Sequence, residues 1–240
     1  MPLADNIHAL GDRCKQELIA AHDYFANSKA AWQLVEDAIS RGGSFSTRNP
    51  TTGSSTGPAE LAPLISRYVA KELIEATFQQ FISIFESYFF DFLRLWLTAY
   101  PQSLFGRTVD FREIFEVPDM EAVTLLVVNK KINEILYERP IRWFEYLDER
   151  VKLGCPTNDE IERFAEAKAS RDVLTHNRGI VGKTYLAKAG KLARFKLGDR
   201  LDLPENYHRE VWEFLRKMVD DITLAAVAKS PCTEVNSLFS

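Results

Sequence analysis

Phe81-Ile82-Ser83-Ile84-Phe85-Glu86-Ser87-Tyr88-Phe89-Phe90-Asp91-Phe92-Leu93 is the stretch that decides the fold. Its apolar residues return every three or four positions, which is the period of a helix and not of a strand. Read outward in both directions, Phe78, Phe81, Ile82, Phe85, Phe89, Phe92, Leu93 and Trp96 form one broad stripe, and Ile84, Tyr88 and Leu95 form a second. A helix apolar on two sides is covered on two sides. The stretch is therefore expected at the centre of a helical bundle, with its second stripe turned to a neighbouring helix or to another subunit. Gln79, Gln80, Glu86, Asp91 and Arg94 interrupt the run, so it does not read as a bilayer span. Glu86 would be costly to bury alone, and pairing with an arginine such as Arg171 is expected.

This helix should begin near Ala59 to Pro63 and stop before Pro101, because proline cannot donate the next backbone hydrogen bond. Upstream, residues 41–58 are rich in glycine, serine, threonine and proline and read as a flexible linker or long loop. Residues 1–40 precede it as a helical appendage in one or two pieces, free to pack on its own chain or to exchange onto a partner. Downstream, Phe111 to Phe115 is a short piece, Met120 to Leu136 is periodic, and Pro140 suits the first turn of a helix reaching Arg150. Thr157-Asn158-Asp159-Glu160 is a capped helix start with acidic residues in the first turn. Thr184 to Phe195 is a short basic segment, Pro204 opens a last helix, and residues 230–240 form a tail. Without a repeat or a convincing set of strands, the class is all-α.

At 240 residues with 46% hydrophobic content, the chain can bury a full core without disulfides. Its cysteines, Cys14, Cys155 and Cys232, are odd in number and lack metal-ligand spacing, which fits a reducing cytoplasm. The first residues lack the basic and apolar regions of a signal peptide. No metal, no cofactor and no membrane partner is expected. A net charge of −4 rules out a general polycation, but the charge is unevenly placed. Arg178, Lys183, Lys188, Lys191, Arg194, Lys196 and Arg200 face only Asp199 in residues 178–200, a local net of +6.

Directly before this basic run stands Arg171-Asp172-Val173-Leu174-Thr175-His176-Asn177-Arg178-Gly179. Asn177 and Gly179 tolerate the left-handed backbone that ends a helix, which puts Arg171 in a last turn and His176 at the end, both open to one cleft. A guanidinium is permanently charged and its planar fork fits a phosphate. Histidine moves a proton in either direction near neutrality. Together they suit phosphodiester cleavage without a metal. Gly179 to Thr184 shares the glycine-lysine-threonine end of a phosphate-binding loop, but Asn177 stands where its first glycine belongs and no strand precedes it. Lys183 is read as part of the basic run instead.

The arginine-to-histidine spacing, with Asn177-Arg178-Gly179 after it and the Phe81–Leu93 helix upstream, resembles the signature of the HEPN superfamily, in particular the RiboL-PSP-type and related proteins of prokaryotic conflict systems. The likeness covers roughly residues 61–228. It implies a HEPN-like helical bundle over residues 59–229 with an additional N-terminal helix, and a metal-independent endoribonuclease acting in defence, toxicity or stress response. On that reading Arg171 and His176 are catalytic. Asp172, Asn177, Arg178 and Glu86 position the substrate, and Lys183, Lys188, Lys191, Arg194 and Lys196 bind RNA. One chain supplies one Arg/His pair, whereas in-line cleavage needs a base, an acid and positive charge on the phosphoryl oxygens. A homodimer sharing one cleft would complete the set, as in HEPN ribonucleases. An antitoxin or other regulatory protein is a possible further partner. The alternative is a non-catalytic dimeric module that binds RNA, a nucleotide or a protein.

Overall fold

The computed structural model describes residues 2–49, 51–106, 108 and 110–230. It is an all-α structure: α1 (Leu3–Ser40), α2 (Pro58–Arg67), α3 (Leu73–Ala99), α4 (Phe111–Phe115), α5 (Met120–Leu136), α6 (Pro140–Val151), α7 (Asn158–His176), α8 (Lys183–Ala189) and α9 (Glu205–Lys229). A π-helical segment, Tyr68–Glu72, joins α2 to α3 without a break in the helical path. Among the described residues the only paired strands are two-residue pieces, β1 (Thr47–Arg48) and β2 (Ser55–Thr56), which form an antiparallel hairpin. Of the expected tail, residues 231–240, Cys232 among them, lie outside the described residues. No helix among those described is long and apolar enough to cross a membrane.

The Phe81–Leu93 stretch is central, as its two stripes require. Phe78, Phe81, Ile82, Phe85, Phe89, Phe92 and Leu93 are wholly buried. α3 packs against α1, α5, α7 and α9. Paired contacts fix the directions. Thr77 of α3 meets His208 of α9, and Tyr88 meets Thr223, so α3 and α9 run parallel. α1 runs antiparallel to both: Arg13 meets Asp91 and Trp32 meets Tyr68, while the Trp212 indole donates to the Leu18 carbonyl and Lys29 pairs with Glu205.

One expectation is corrected by α1. Leu3–Ser40 is one continuous helix whose Ile7, Leu10, Cys14, Leu18, Ala21 and Phe25 belong to the common core, so this segment is built into the bundle rather than appended to it. The second stripe of α3 meets both α1 and α9: Tyr88 is 2% exposed, donates to the Val219 carbonyl and shares a hydrogen bond with Thr223 on α9, while Leu10, Arg13 and Cys14 of α1 flank Ile84 and Tyr88. The cover the stripe needed is thus supplied in large part by this chain's own helices. The sequence pattern showed that it needed a cover and could not show which helix supplied it. The region read as a flexible linker carries the β1–β2 hairpin, pinned by Asn49, whose side chain accepts from the N–H groups of Thr51 and Thr52.

The α1–α9 crossing depends on Gly11. A Cβ there would stand 2.4 Å from Thr223 Oγ1, 3.0 Å from its Cγ2 and 3.2 Å from its Cβ, so turning the threonine side chain brings no relief. Overpacking costs about 1–3 kcal/mol, against about 1 kcal/mol gained in helix propensity. Gly11→Ala is therefore expected to destabilise the fold by roughly 1–2 kcal/mol in urea unfolding, because it also displaces the hydroxyl that partners Tyr88. A neutral or stabilising result would contradict this packing.

The same three helices enclose His208. Thr77 Oγ1 donates to the Leu73 carbonyl at 2.7 Å, so His208 Nε2 must donate to Thr77 Oγ1 at 2.8 Å, and Nδ1 is left unprotonated and without a partner. Phe25 and Phe81 pack against the ring at 4.5 and 4.7 Å between centroids. Burial pushes the imidazole down to about 4, and burial also lowers its neighbour His22. As pH falls below ~6.5 the unfolded chain takes up the proton while the folded chain refuses it, so stability is lost until pH reaches the folded value. The loss is on the order of 3 kcal/mol. His208→Gln should flatten unfolding free energy against pH in that window; an unchanged slope would exclude His208 as its source.

Candidate functional site

The capping box at Thr157 and Glu160 starts α7, and His176 is its last residue. The helix closes where the N–H of Gly179 turns back to the Val173 carbonyl at 3.1 Å. The left-handed positions are Arg178 (φ 53°) and Gly179 (φ 75°), while Asn177 keeps an ordinary φ of −125°. Asn177 acts through its side chain, which donates to the Ile180 carbonyl across the turn. Beyond it the chain is clamped: Val181 N–H donates to Asp199 and Leu201 N–H to Gly179, at 2.9 and 2.8 Å. Residues 183–197, with α8 and the 3-10 turn Gly190–Leu192, form an excursion with a fixed base.

Between the end of α7 and α8 lies a cleft of about 340 Å³, lined by Asp172, His176, Asn177, Thr184, Tyr185 and Lys188 among others. His176 is exposed. Asp172 and His176 share a face because they are four residues apart. Arg171 and His176 do not: five residues turn a helix through 500°, leaving the two side chains about 140° apart. Arg171 lies more than a turn before the helix end and is only 16% exposed, so the expectation that it opens to the same cleft as His176 is corrected.

Its guanidinium turns to α3. Arg171 and Lys168 pair with the two oxygens of Glu86, and Arg171 Nη1 also lies 3.3 Å from Asp172 Oδ1. Lys188 Nζ reaches Asp172 Oδ2 at 2.8 Å. Three cations thus surround two carboxylates, and one positive charge remains beside the cleft. Thr175 Oγ1 continues the α3–α7 seam by donating to Gln79 at 2.8 Å. Glu86 is a structural tie between the helices and is not presented to the cleft.

The basic run is less free than its composition implies. Lys188, Lys191 and Arg194 have carboxylate partners on α7, namely Asp172, Glu162 and Glu166. Counting residues 178–200 alone omitted those acids. Arg178, Lys183 and Lys196 are exposed and form no ion pair among the described residues. Arg194 is the most tightly held member of the set expected to bind RNA. Its side chain is 26% exposed, its guanidinium stacks 3.5 Å from the Tyr207 ring centre, and its Nε donates to Glu166 at 3.0 Å.

Glu166 was not singled out from the sequence, yet it organises this side of the molecule. It is 4% exposed. Oε1 accepts from Ser170 (2.8 Å), Tyr185 (2.9 Å) and Arg194, and Oε2 accepts from Tyr207. Burial and the Glu166 charge push the Tyr185 hydroxyl up to about 12, and raise Tyr207 for the same reasons. Both therefore stay protonated and donate. The available signal was a carboxylate at position 166 in register with Ser170 and Val173, both of which are buried.

Among the described residues no group of three or more His, Cys, Asp or Glu side chains could hold a metal ion. Neither a protein-family model, nor a curated protein, nor a solved structure matches this chain.

Proposed function

We propose that this chain is a metal-independent endoribonuclease of HEPN type, working as a homodimer in a defence, toxin or stress-response setting. The observation that carries the reading is His176: it ends α7, stands exposed at a cleft of mixed polar and apolar lining, and forms no hydrogen bond or ion pair among the described residues. One His176 takes the proton of the RNA 2′-hydroxyl as that oxygen attacks phosphorus. The second copy's imidazolium gives a proton to the departing 5′-oxygen. The cleft cation nearest to this chemistry is Lys188, held by Asp172, which Arg171 contacts in turn. Lys188 thus neutralises the phosphoryl oxygens, and Arg171 positions the carboxylate behind it. Arg178 and Lys183, unpaired and exposed, extend the positive surface along the RNA backbone. A regulatory protein or antitoxin would act by covering this cleft.

A second reading follows from a specific observation. Arg171 and Lys188 already hold carboxylates, which weakens both as phosphate ligands and favours a non-catalytic module that binds RNA, a nucleotide or a protein. Labelled RNA incubated with the purified chain in chelator, with His176→Ala alongside, separates the two. Cleavage that depends on His176 supports the enzyme. Retention of RNA with no cleavage in either protein supports the module.

A further inference from the structure

Helix α4 has no buried residue and is held by its caps: Asp110 accepts from Arg112 N–H, and Glu113 returns to Asp110 N–H and pairs with Lys130. Its apolar side chains face outward. Phe111 and Phe115 are 72% and 75% exposed with their rings edge to face at 4.8 Å, and Phe105 and Met120 at its flanks are 86% and 74% exposed. Phe111 and Phe115 thus form a bare aromatic pair of on the order of 300 Å², with two further exposed apolar side chains close to it in sequence. The surround is acidic. Residues 110–121 hold Asp110, Glu113, Glu116, Asp119 and Glu121 against Arg112; with Lys130, which pairs with Glu113, the net is −3, and Glu116 and Glu121 are in no ion pair among the described residues.

A matching surface exists on the same chain. The excursion after α7 presents Arg178, Lys183 and Lys196 without carboxylate partners among the described residues, beside the exposed apolar side chains of Ile180 (41%), Leu192 (37%) and Leu197 (57%). Its base is hydrogen-bonded, so it offers these groups with little ordering left to do. We infer that the acidic aromatic face of α4 is covered by the basic segment 178–197 of a second copy of this chain. Packing α4 on α4 would set one acidic surround against another, whereas α4 on the basic segment pairs opposite charges around an apolar centre. A stable interface buries ~800 Å² per partner, so the inference requires the contact to be made twice under two-fold symmetry, each copy giving its α4 and receiving the other's. The basic segment is also the surface that the ribonuclease reading gives to RNA, so this association is a resting form distinct from the catalytic pair in which two His176 side chains share one phosphate, and RNA competes with it.

The test is sedimentation of the full chain in the absence of RNA, at micromolar concentration and at low and high salt. The expected result is a dimer at low salt whose dissociation constant rises with salt. Glu116→Lys with Glu121→Lys should raise that constant at least about tenfold, and adding Lys183→Glu with Lys196→Glu should restore it. Phe111→Ser with Phe115→Ser should give a monomer whose thermal midpoint no longer depends on protein concentration and equals that of the wild type diluted to monomer, since neither ring is buried within the chain. A wild-type monomer under all conditions overturns the inference. So does a dimer that the acidic-to-basic swap leaves intact, or one that the compensating swap fails to restore. A chain that dimerises in this way but cuts no RNA removes the ribonuclease reading and leaves the inference standing.

Discussion

His176→Ala is expected to lower RNA cleavage by about 10²–10⁴-fold with little change in RNA affinity, because it removes a proton-transfer group and no phosphate contact. His176 is exposed at the end of α7, so the variant should fold as the parent does. The products of the parent chain should carry a 2′,3′-cyclic phosphate and a 5′-hydroxyl. Cleavage should persist in chelator, since two imidazoles and a cation supply every proton and charge the step needs. Substitutions nearby separate the roles. Lys188→Ala should lower both affinity and rate. Arg171→Lys keeps a charge against Glu86 but loses the fork that also reaches Asp172, and should cost rate with smaller effect on affinity. Lys183→Ala should weaken binding and flatten its salt dependence without slowing the chemical step. Full activity in His176→Ala, a 3′-hydroxyl product or a requirement for magnesium would each sink the mechanism.

Periodicity made most of the helices readable. Met120–Leu136 and Phe111–Phe115 form the helices their spacing predicts, and Thr157 caps α7 through the box that its spacing to Glu160 announces. Period speaks only about the helix that carries it. The two stripes of α3 required two covers, but nothing local to α3 identifies α1, whose matching residues lie some seventy positions earlier. The site was legible in the same limited way. His176 at the helix end follows from the stop signal. The direction of Arg171 follows from the helical turn between positions 171 and 176, and from a carboxylate at Glu86 on another helix. Charge counting along residues 178–200 failed for the corresponding reason: half of each ion pair sat on α7. A local count reports the composition of a segment, whereas the field at a cleft depends on what packs behind it.

Glu166→Ala is expected to produce the largest loss of stability of any single polar substitution near the site, roughly 3–5 kcal/mol, because it removes the shared acceptor of a buried cluster and leaves the others in place. Arg194 would keep its charge with no carboxylate. Ser170, Tyr185 and Tyr207 would each lose the oxygen they donate to, at positions where water has little access. Glu166→Gln keeps the volume and one acceptor oxygen but not the charge. It should cost about 1–3 kcal/mol, the difference between charged and neutral hydrogen bonds summed over the cluster. Arg194→Met in the Glu166→Gln background should recover part of that loss, since the unpaired cation disappears with it. Urea unfolding with an unchanged m-value measures these energies. Amide exchange locates them: the 183–197 excursion, pinned to α7 through Tyr185 and Arg194, should lose protection in Glu166→Gln before α3 does. Tyr185 also lines the cleft beside His176, so loosening this pin moves the wall of the site. A loss below about 1 kcal/mol for Glu166→Ala, or exchange that rises equally in α3, would show that the cluster does not hold the excursion in place.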